Sequence, residues 1–142
     1  MIVLDANAAV AMALGSDLGE ALTTQLLAGE TVLAPTLLYS EVAYTLAKYV
    51  RAGVLSKEEA AERGRDAVGL VDEFCDDGQL WMEAMGESLR LGHSSYDLFY
   101  LVLARRTGAT LFTLDKKLQE LALDAGINSI WLTKLGGVAT PF

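Results

Sequence analysis

The fold is decided by two short apolar runs that each end on an aspartate, MIVLD at residues 1–5 and ATLFTLD at residues 109–115. Such a continuous apolar run is typical of a strand that is buried on both faces of a parallel sheet. On either side of these two runs, strand-like and helix-like segments alternate along the whole chain. This order predicts an α/β fold in which a mostly parallel sheet has helices on both faces.

The remaining predicted elements follow one another without a linker, a repeat or a low-complexity stretch. We expect further strands at 31–34, 79–82 and 128–132. We expect helices at 8–14, 17–28, 35–52, 56–75, 83–91, 94–107 and 115–125. Ser56 and Glu59 have the spacing of a capping box, and glycines stand where most of the helices should end. The 142 residues are therefore interpreted as one domain, 1–142.

The composition indicates a globular chain with an acidic surface. Apolar residues make up 52% of the chain, and the net charge is −8. This balance argues against a nucleic-acid binder, because such proteins are usually basic. The charge is unevenly spread, however, since residues 57–87 hold ten acids and three bases whereas residues 88–142 hold four acids and six bases. We therefore expect most of the acidity on a solvated helical surface.

Cysteine content and hydropathy favour a cytoplasmic location without a membrane partner. Cys75 is the one cysteine, so no intrachain disulfide is possible, and we expect it to be a small core or boundary residue. No apolar run approaches the roughly 20 residues that cross a bilayer. The apolar residues 1–4 lack a basic segment and are interrupted by Asp5, so we interpret them as a strand rather than a signal peptide.

Two acids, Asp5 and Asp115, directly follow predicted strands. In an open parallel sheet, ligands bind outside the carboxyl ends of the strands, so both side chains are expected in the same crevice. An acid at such a position is also a common helix cap, and Asp115 is well placed to cap the helix that it precedes.

Two further acids, Glu41 and Asp97, lie among apolar residues on predicted helices. An acid buried in such surroundings is costly unless something pairs with it. Asp97 belongs to the run YDLFYLVL at 96–103, which should be buried nearly all round. An alternative for Asp97 is that it stabilises the first turn of its helix, where the helix dipole favours an anion.

Four carboxylates that converge at one end of a sheet would repel one another unless a cation lies between them. Oxygen ligands without histidine or cysteine select Mg²⁺ or Mn²⁺. Because the sequence has one histidine, His93, a zinc site with several histidines is ruled out. A metal held in this way usually takes its remaining ligands from water and phosphate. Such a site suits the hydrolysis of phosphodiester bonds.

The chain resembles the PIN-domain ribonucleases, and among them the VapC toxins of prokaryotic toxin–antitoxin pairs. The resemblance covers essentially the whole chain and is carried by four motifs in order: IVLDAN at 2–7, SEV at 40–42, YDLFYL at 96–101 and LFTLDKKL at 111–118. It implies a PIN-like domain that cleaves RNA with Mg²⁺ or Mn²⁺. It also implies the ligand set, which is Asp5, Glu41, Asp97 and Asp115.

The resemblance also implies supporting residues and partners. Asn7 and Thr113 match small polar positions that support the acids through hydrogen bonds. Glu41 is either a ligand or the group that orients the attacking water. The implied partners are an RNA substrate, a VapB-type antitoxin that covers the site, and a second copy in a homodimer. Residues considered for the antitoxin groove are Leu37, Leu38, Val54, Leu55 and Trp81.

Basic and aromatic residues indicate function less specifically than the four acids do. Lys116 and Lys117 follow Asp115 and are candidates for RNA phosphate contacts, with solvated surface as the alternative. Arg105 and Arg106 are interpreted as charges that offset the helix dipole at a carboxyl terminus. His93 is expected to be a loop residue bonded to backbone, with an RNA contact as the alternative. Five aromatic residues could stack on bases, but most of them are expected in the core: Tyr44, Tyr49, Tyr96, Phe99 and Tyr100.

Other functions remain open. A non-catalytic PIN-fold interaction module is one, although the presence of all four acids argues against it. A stand-alone RNA-processing nuclease without an antitoxin is another. A phosphatase with an aspartyl nucleophile usually requires a second acid two residues after the first, and Asn7 occupies that position.

Overall fold

The computed structural model describes residues 1–26, 29–132 and 138–139. Within these residues, one sheet has its strands in the order β3-β2-β1-β4-β5-β6. The strands are β1 Ile2–Leu4, β2 Val32–Pro35, β3 Glu73–Cys75, β4 Thr110–Thr113, β5 Ser129–Leu132 and β6 Val138–Ala139. Strands β1 to β5 are parallel, and β6 pairs antiparallel with β5.

Helices flank this sheet, so the predicted α/β fold with a mostly parallel sheet is confirmed. The helices are α1 Ala6–Leu14, α2 Asp17–Gln25, α3 Leu37–Arg51, α4 Lys57–Gly69, α5 Trp81–Leu91, α6 Ser95–Thr107 and α7 Lys116–Asp124, with a short 3-10 helix at Asp77–Gln79. The predicted capping box at the start of α4 is confirmed, because Ser56 and Glu59 each accept the other's backbone N–H. No helix in the described ranges is long and apolar enough to cross a membrane.

The strand order reverses direction between β1 and β4. From β1 the chain adds β2 and β3 on one side, and it then returns to place β4 on the other side of β1. Leu4 is in register with Phe112, and the Asp5 N–H donates to the Phe112 carbonyl oxygen at 3.2 Å. The carboxyl ends of β1 and β4 therefore meet at the point where α/β sheets usually bind their ligands.

The core is built from the central strands and helix α6. Val3 and Leu4 of β1 are fully buried, as are Leu98 and Leu101 of α6. Helix α6 packs directly on β1, β2 and β4, which explains why its sequence is apolar almost all round. Because Asp97 lies in the first turn of this helix, packing of α6 on the sheet also fixes the position of that acid.

Two predictions between residues 69 and 82 are wrong. The helix predicted at 56–75 ends at Gly69, and residues 73–75 form the edge strand β3, which places Cys75 in a strand. The strand is held to β2 partly by Asp72, whose carboxylate accepts the Val32 N–H at 2.8 Å. The strand predicted at 79–82 is also absent, because these residues end the 3-10 helix and begin α5. Leu80, the N-cap of α5, and Ala84 are buried, while Trp81 is half exposed.

Smaller differences concern the ends of elements. Helix α2 is capped by Ser16 rather than Asp17 and ends at Gln25, and the predicted end at Ala28 lies outside the described residues. Pro35 closes β2 instead of opening the following helix. Strand β6 was not predicted, because two residues are too short for a recognisable pattern.

Helices α1 and α2 approach each other closely at Gly19. A Cβ atom at this position would lie 1.9 Å from the carbonyl oxygen of Ala11 on α1. That oxygen belongs to the backbone, so a side chain cannot rotate to make room. The hydrogen of glycine therefore allows the two helices to pack against each other.

We predict that Gly19→Ala lowers the free energy of unfolding by about 1–3 kcal/mol, because α2 must move away from α1. The same change elsewhere in a helix normally raises stability by roughly 0.5–1 kcal/mol. Gly86→Ala in α5 is the matched control, since a Cβ there would meet no described atom within 4 Å beyond its own helix. Urea unfolding measures both variants, and shifts of the same sign would contradict the prediction.

Candidate functional site

A cleft of about 670 Å³ lies beside the carboxyl end of β1. Three of the four predicted acids line it, and each comes from a different element: Asp5 follows β1, Glu41 lies on α3 and Asp97 lies on α6. The fold thus brings together carboxylates that are up to 92 positions apart in the chain.

Asp5 is buried, with 6% of its surface exposed, and both of its carboxylate oxygens accept hydrogen bonds. Its Oδ1 accepts the Ala8 N–H at 2.8 Å, so Asp5 is the N-cap of α1. Its Oδ2 accepts the hydroxyl of Thr113, the last residue of β4. The same hydroxyl oxygen accepts the Asp115 N–H at 2.9 Å. Thr113 therefore links the residues that follow the two central strands.

Burial raises the pKa of Asp5 from 3.8 to about 7, because the charged form loses its hydration. The hydrogen bonds from Thr113 and Ala8 oppose this rise, whereas the negative charges of Asp97 and Glu41 add to it. A cation in the cleft would favour the charged form of Asp5 and relieve the repulsion among the three carboxylates.

Glu41 is half-buried and is held by Tyr100 of α6. The Tyr100 hydroxyl donates to Glu41 Oε1 at 2.6 Å, which joins α3 to α6 across the cleft. Burial raises the pKa of Glu41, and the charges of Asp97 and Asp77 raise it further, while the bond from Tyr100 lowers it. Burial also raises the pKa of Tyr100, so this phenol remains protonated and able to donate.

Asp77 fixes the start of the helix that carries Glu41. Its Oδ1 accepts the N–H of Leu37, the first residue of α3, at 2.9 Å, and its own N–H donates to the Thr36 hydroxyl at 3.0 Å. Thr36 itself makes no side-chain cap, so the cap comes from a residue 40 positions further along the chain. This contact was not predicted from the sequence.

Asp97 is held by His93, another contact that sequence reasoning missed. Nε2 of His93 lies 2.7 Å from Asp97 Oδ2, and because a carboxylate only accepts, Nε2 carries the hydrogen. The imidazole was expected to bond to backbone and bonds to this carboxylate instead. The Ser88 hydroxyl donates to the carbonyl oxygen of His93 and so fixes the loop. The four-residue spacing was a signal, but His93 precedes the helix, where that spacing does not fix the geometry.

Asp115 does not line the cleft. Its Oδ1 accepts the N–H groups of Lys117 at 2.9 Å and Leu118 at 3.2 Å, which makes Asp115 the N-cap of α7. This is the alternative role that the sequence left open for it. Asp115 still adjoins the cleft through the hydroxyl of Thr113.

The other predicted site residues are divided between the cleft and its surroundings. Asn7 is exposed and lines the cleft, but among the described contacts its side chain makes no hydrogen bond to an acid. Lys116 and Lys117 are exposed on the first turn of α7 and do not line the cleft. Lys48 of α3, which was not assigned a role, does line it.

Residues farther away have structural roles. Arg105 and Arg106 end α6 and both form ion pairs with Glu83 of α5, with 2.8 Å between Arg106 Nε and a Glu83 oxygen. Leu38 is fully buried, so it cannot belong to an exposed antitoxin groove as considered above. Cys75 is partly buried, which raises the pKa of its thiol and agrees with a boundary position.

The donor set fits a hydrated Mg²⁺ or Mn²⁺ ion. In the part of the chain that the structure describes, no three Asp, Glu, His or Cys side chains are grouped so that they could bind one ion together. Mg²⁺, however, is commonly bound by only one or two carboxylates and completes its octahedron with water and phosphate. Asp5, Glu41 and Asp97 supply the oxygen atoms and negative charge that such binding requires.

Comparison with known proteins gives a family and a fold. A family model for the PIN domain matches residues 2–123. The fold is similar to the crystal structure of PAE2754 from Pyrobaculum aerophilum, with 23% identity over 84% of each chain and a TM-score of 0.64. It is also similar to VapBC2 from Rickettsia felis bound to a DNA fragment from their promoter, with 19% identity, 92% of this chain and 98% of that chain covered, and a TM-score of 0.61. No curated protein sequence gave a significant match.

The buried carboxyl of Asp5 should make stability depend on pH in metal-free buffer. In the folded state this group keeps its proton up to about pH 7, whereas in the unfolded chain it loses it near 3.8. The folded state binds more protons between these values, so the free energy of unfolding should fall as pH rises through this window, by up to about 1.4 kcal/mol per pH unit. Chemical unfolding from pH 4 to pH 8 measures the slope.

Asp5→Asn should flatten this pH dependence and be more stable than the wild type at pH 8. Asp124→Asn, which changes an exposed acid at the end of α7, is the control and should follow the wild-type curve. If the Asp5→Asn and wild-type curves were parallel, the carboxyl of Asp5 would not be the group that titrates.

Proposed function

The chain belongs to the PIN domain family, and from this premise we propose that it is a metal-dependent endoribonuclease that acts as the toxin of a toxin–antitoxin pair. The observation that carries the proposal is the convergence of Asp5, Glu41 and Asp97 from three separate elements on one cleft. Burial and mutual repulsion raise the pKa of both Asp5 and Glu41 there. Perturbed carboxyl groups that face a cleft are a physical indication of a functional site.

Each acid in the cleft is held by one neighbouring side chain. Thr113 orients Asp5, Tyr100 orients Glu41 and His93 orients Asp97. In the proposed site, these three carboxylates would hold Mg²⁺ or Mn²⁺, directly or through water. When bound, the metal would lower the pKa of the attacking water and stabilise negative charge on the phosphate.

Glu41 has a second proposed role besides that of ligand. Tyr100 occupies its Oε1, which leaves Oε2 able to accept a hydrogen bond from the attacking water and to orient it. Asp115 has an indirect role, because it caps α7 and its N–H donates to the same Thr113 hydroxyl that bonds to Asp5. Attack on the phosphorus with loss of the 3′ oxygen would leave a 5′-phosphate and a 3′-hydroxyl, as the family resemblance implies.

The proposed partners follow from the same resemblance. The similarity of the fold to a VapBC2 complex supports a VapB-type antitoxin as partner. The family resemblance alone leads to the proposals that the antitoxin covers the cleft and that the chain forms a homodimer, and the single cysteine leads to the proposal of a cytoplasmic location. Lys116 and Lys117 are proposed to contact RNA phosphates outside the cleft. Asn7, which lines the cleft, is proposed to support the acids through a hydrogen bond when the site holds its metal. A stand-alone RNA-processing nuclease would have the same cleft without the antitoxin.

The nuclease function is tested with purified protein, freed of any antitoxin, and a mixture of RNAs in Mg²⁺ or Mn²⁺. Asp5→Asn and Asp97→Asn should each lower the cleavage rate by at least about 100-fold, since each removes charge at the proposed metal. Cleavage should stop when the metal is chelated and return when it is added back. Gel analysis of end-labelled RNA measures the rates.

Asp124→Asn provides the matched control for these variants, because it makes the same chemical change at an exposed acid. It should cleave at the wild-type rate. If the wild type cleaved none of the RNAs, or if Asp97→Asn cleaved as fast as the control, the nuclease proposal would fail. The non-catalytic interaction module would then be the better explanation of the fold.

His93 should influence metal binding through Asp97. We predict that His93→Ala weakens Mn²⁺ binding by about 10- to 100-fold, because one oxygen of Asp97 loses the donor that fixes it. His93→Gln should restore most of the affinity, since its amide N–H can take the place of Nε2–H. Electron paramagnetic resonance of free Mn²⁺ measures affinity without any turnover, and equal affinities for the alanine variant and the wild type would contradict the prediction.

A further inference from the structure

We propose that the cleft binds an unpaired base of single-stranded RNA against the rings of Tyr44 and Tyr96, beside the three carboxylates. This inference rests on the proposed nuclease function and names the side chains that hold a base of the RNA substrate. It assigns a role to two tyrosines that the catalytic arrangement does not use.

The two tyrosines lie on opposite walls of the cleft, each next to an acid. Tyr44 follows Glu41 by three residues on α3, and residues at this spacing share a helix face. Tyr96 directly precedes Asp97 in the first turn of α6. Both line the cleft, whose two helices are joined by the bond between Tyr100 and Glu41. A base held by these rings would therefore place its own phosphate close to the carboxylates.

The exposure of these rings is the reason to seek a ligand for them. Tyr44 is 67% exposed and Tyr96 is 60% exposed, whereas Tyr100 in the same cleft is 1% exposed. Among the described residues, neither exposed ring stacks on another aromatic ring, and neither hydroxyl makes a hydrogen bond. Both rings are thus available to a ligand, and aromatic faces stack on bases of any sequence.

The cleft also contains a cation in a suitable place. Lys48 lies one helical turn after Tyr44 on α3 and lines the same cleft. It pairs with no carboxylate among the residues that the structure describes, so its ammonium group can bind a phosphate next to the stacked base. Rings for a base, a cation for a phosphate and acids for a metal are together the groups that a nucleotide requires.

The size of the cleft favours a single strand. Its volume of about 670 Å³ lies within the range of roughly 300–1,000 Å³ that is usual for pockets that bind small molecules. This space admits a nucleotide whose base is free, whereas a paired base has both faces covered by its neighbours in the duplex. An RNA helix would therefore have to open before it could enter.

The test uses short RNAs in which one base is replaced by 2-aminopurine, whose fluorescence changes when it stacks on an aromatic ring. Binding is measured in Ca²⁺, and cleavage of the same RNAs is measured separately in Mg²⁺. Tyr44→Leu and Tyr96→Leu should each raise the Kd for a single strand by about 5- to 100-fold and reduce the fluorescence change, because the apolar volume remains but one of the two rings is lost.

Three controls make the result specific. Tyr44→Phe and Tyr96→Phe keep the ring and should stay within about twofold of the wild-type Kd. Tyr39→Leu removes a half-exposed ring that stacks on Phe74 and does not line this cleft, so it should bind RNA as the wild type does. A blunt-ended duplex of the same strand with its complement leaves no base unpaired, so it should bind weakly to every variant and give no fluorescence change.

The outcomes separate this inference from the nuclease function. If the wild type cleaves single-stranded RNA but the leucine variants bind and quench as it does, the stacking proposal is overturned while the nuclease stands, and the two rings are left for contact with a protein partner. Equal loss of affinity for the duplex and the single strand would also overturn it. If base stacking is seen but no RNA is cleaved, the nuclease proposal fails and the base site stands.

Discussion

The structure depends most on the two hydrogen bonds that hold the buried side chain of Asp5 at the carboxyl end of β1. β1 lies between β2 and β4, so the residue that follows it is almost fully buried where it lines the cleft. Asp5 is accommodated there by the Ala8 N–H and the Thr113 hydroxyl. These two bonds set the start of α1 and tie β1 to β4. The architecture of the centre and the acidity of the cleft are therefore one arrangement, in which the residue that caps a helix also carries a strongly perturbed pKa.

The two helical walls of the cleft are held in place against the repulsion of their own acids. α6 packs on three strands at the centre of the sheet, and at its far end Arg105 and Arg106 bind Glu83 of α5. α3 is capped by Asp77 from a distant part of the chain and is bonded to α6 through Tyr100. Because each wall is anchored away from the acids, the carboxylates cannot separate easily to lower their repulsion. A fixed excess of negative charge is what a divalent cation requires of its binding site.

The sequence predicted strands and site residues well where the pattern that marks them is local, and less well where it is not. Apolar runs that end on acids located β1 and β4, and with them the positions of Asp5 and Asp115, because parallel strands share one functional edge.

The edge strand β3 was missed since it is three residues long and half exposed, so no apolar run marks it. Glu41 was noticed as an acid on an apolar face, but its bond to Tyr100 joins residues 59 positions apart, and only the folded chain brings them together. The same limit applies to the cap that Asp77 provides for α3, which is formed across 40 positions.

The buried acid also has a consequence for how the protein can change over generations. The charge of Asp5 is costly to bury and is not needed for folding. An asparagine at position 5 can still accept the Ala8 N–H with its oxygen, and its amide nitrogen can donate to the hydroxyl oxygen of Thr113. Copies that lose this carboxylate are therefore expected to accumulate in the cell as intact, well-folded molecules rather than to be degraded. Retention of Asp5 in a working protein is then a sign of selection for its chemistry, because the architecture itself exerts no pressure to keep it.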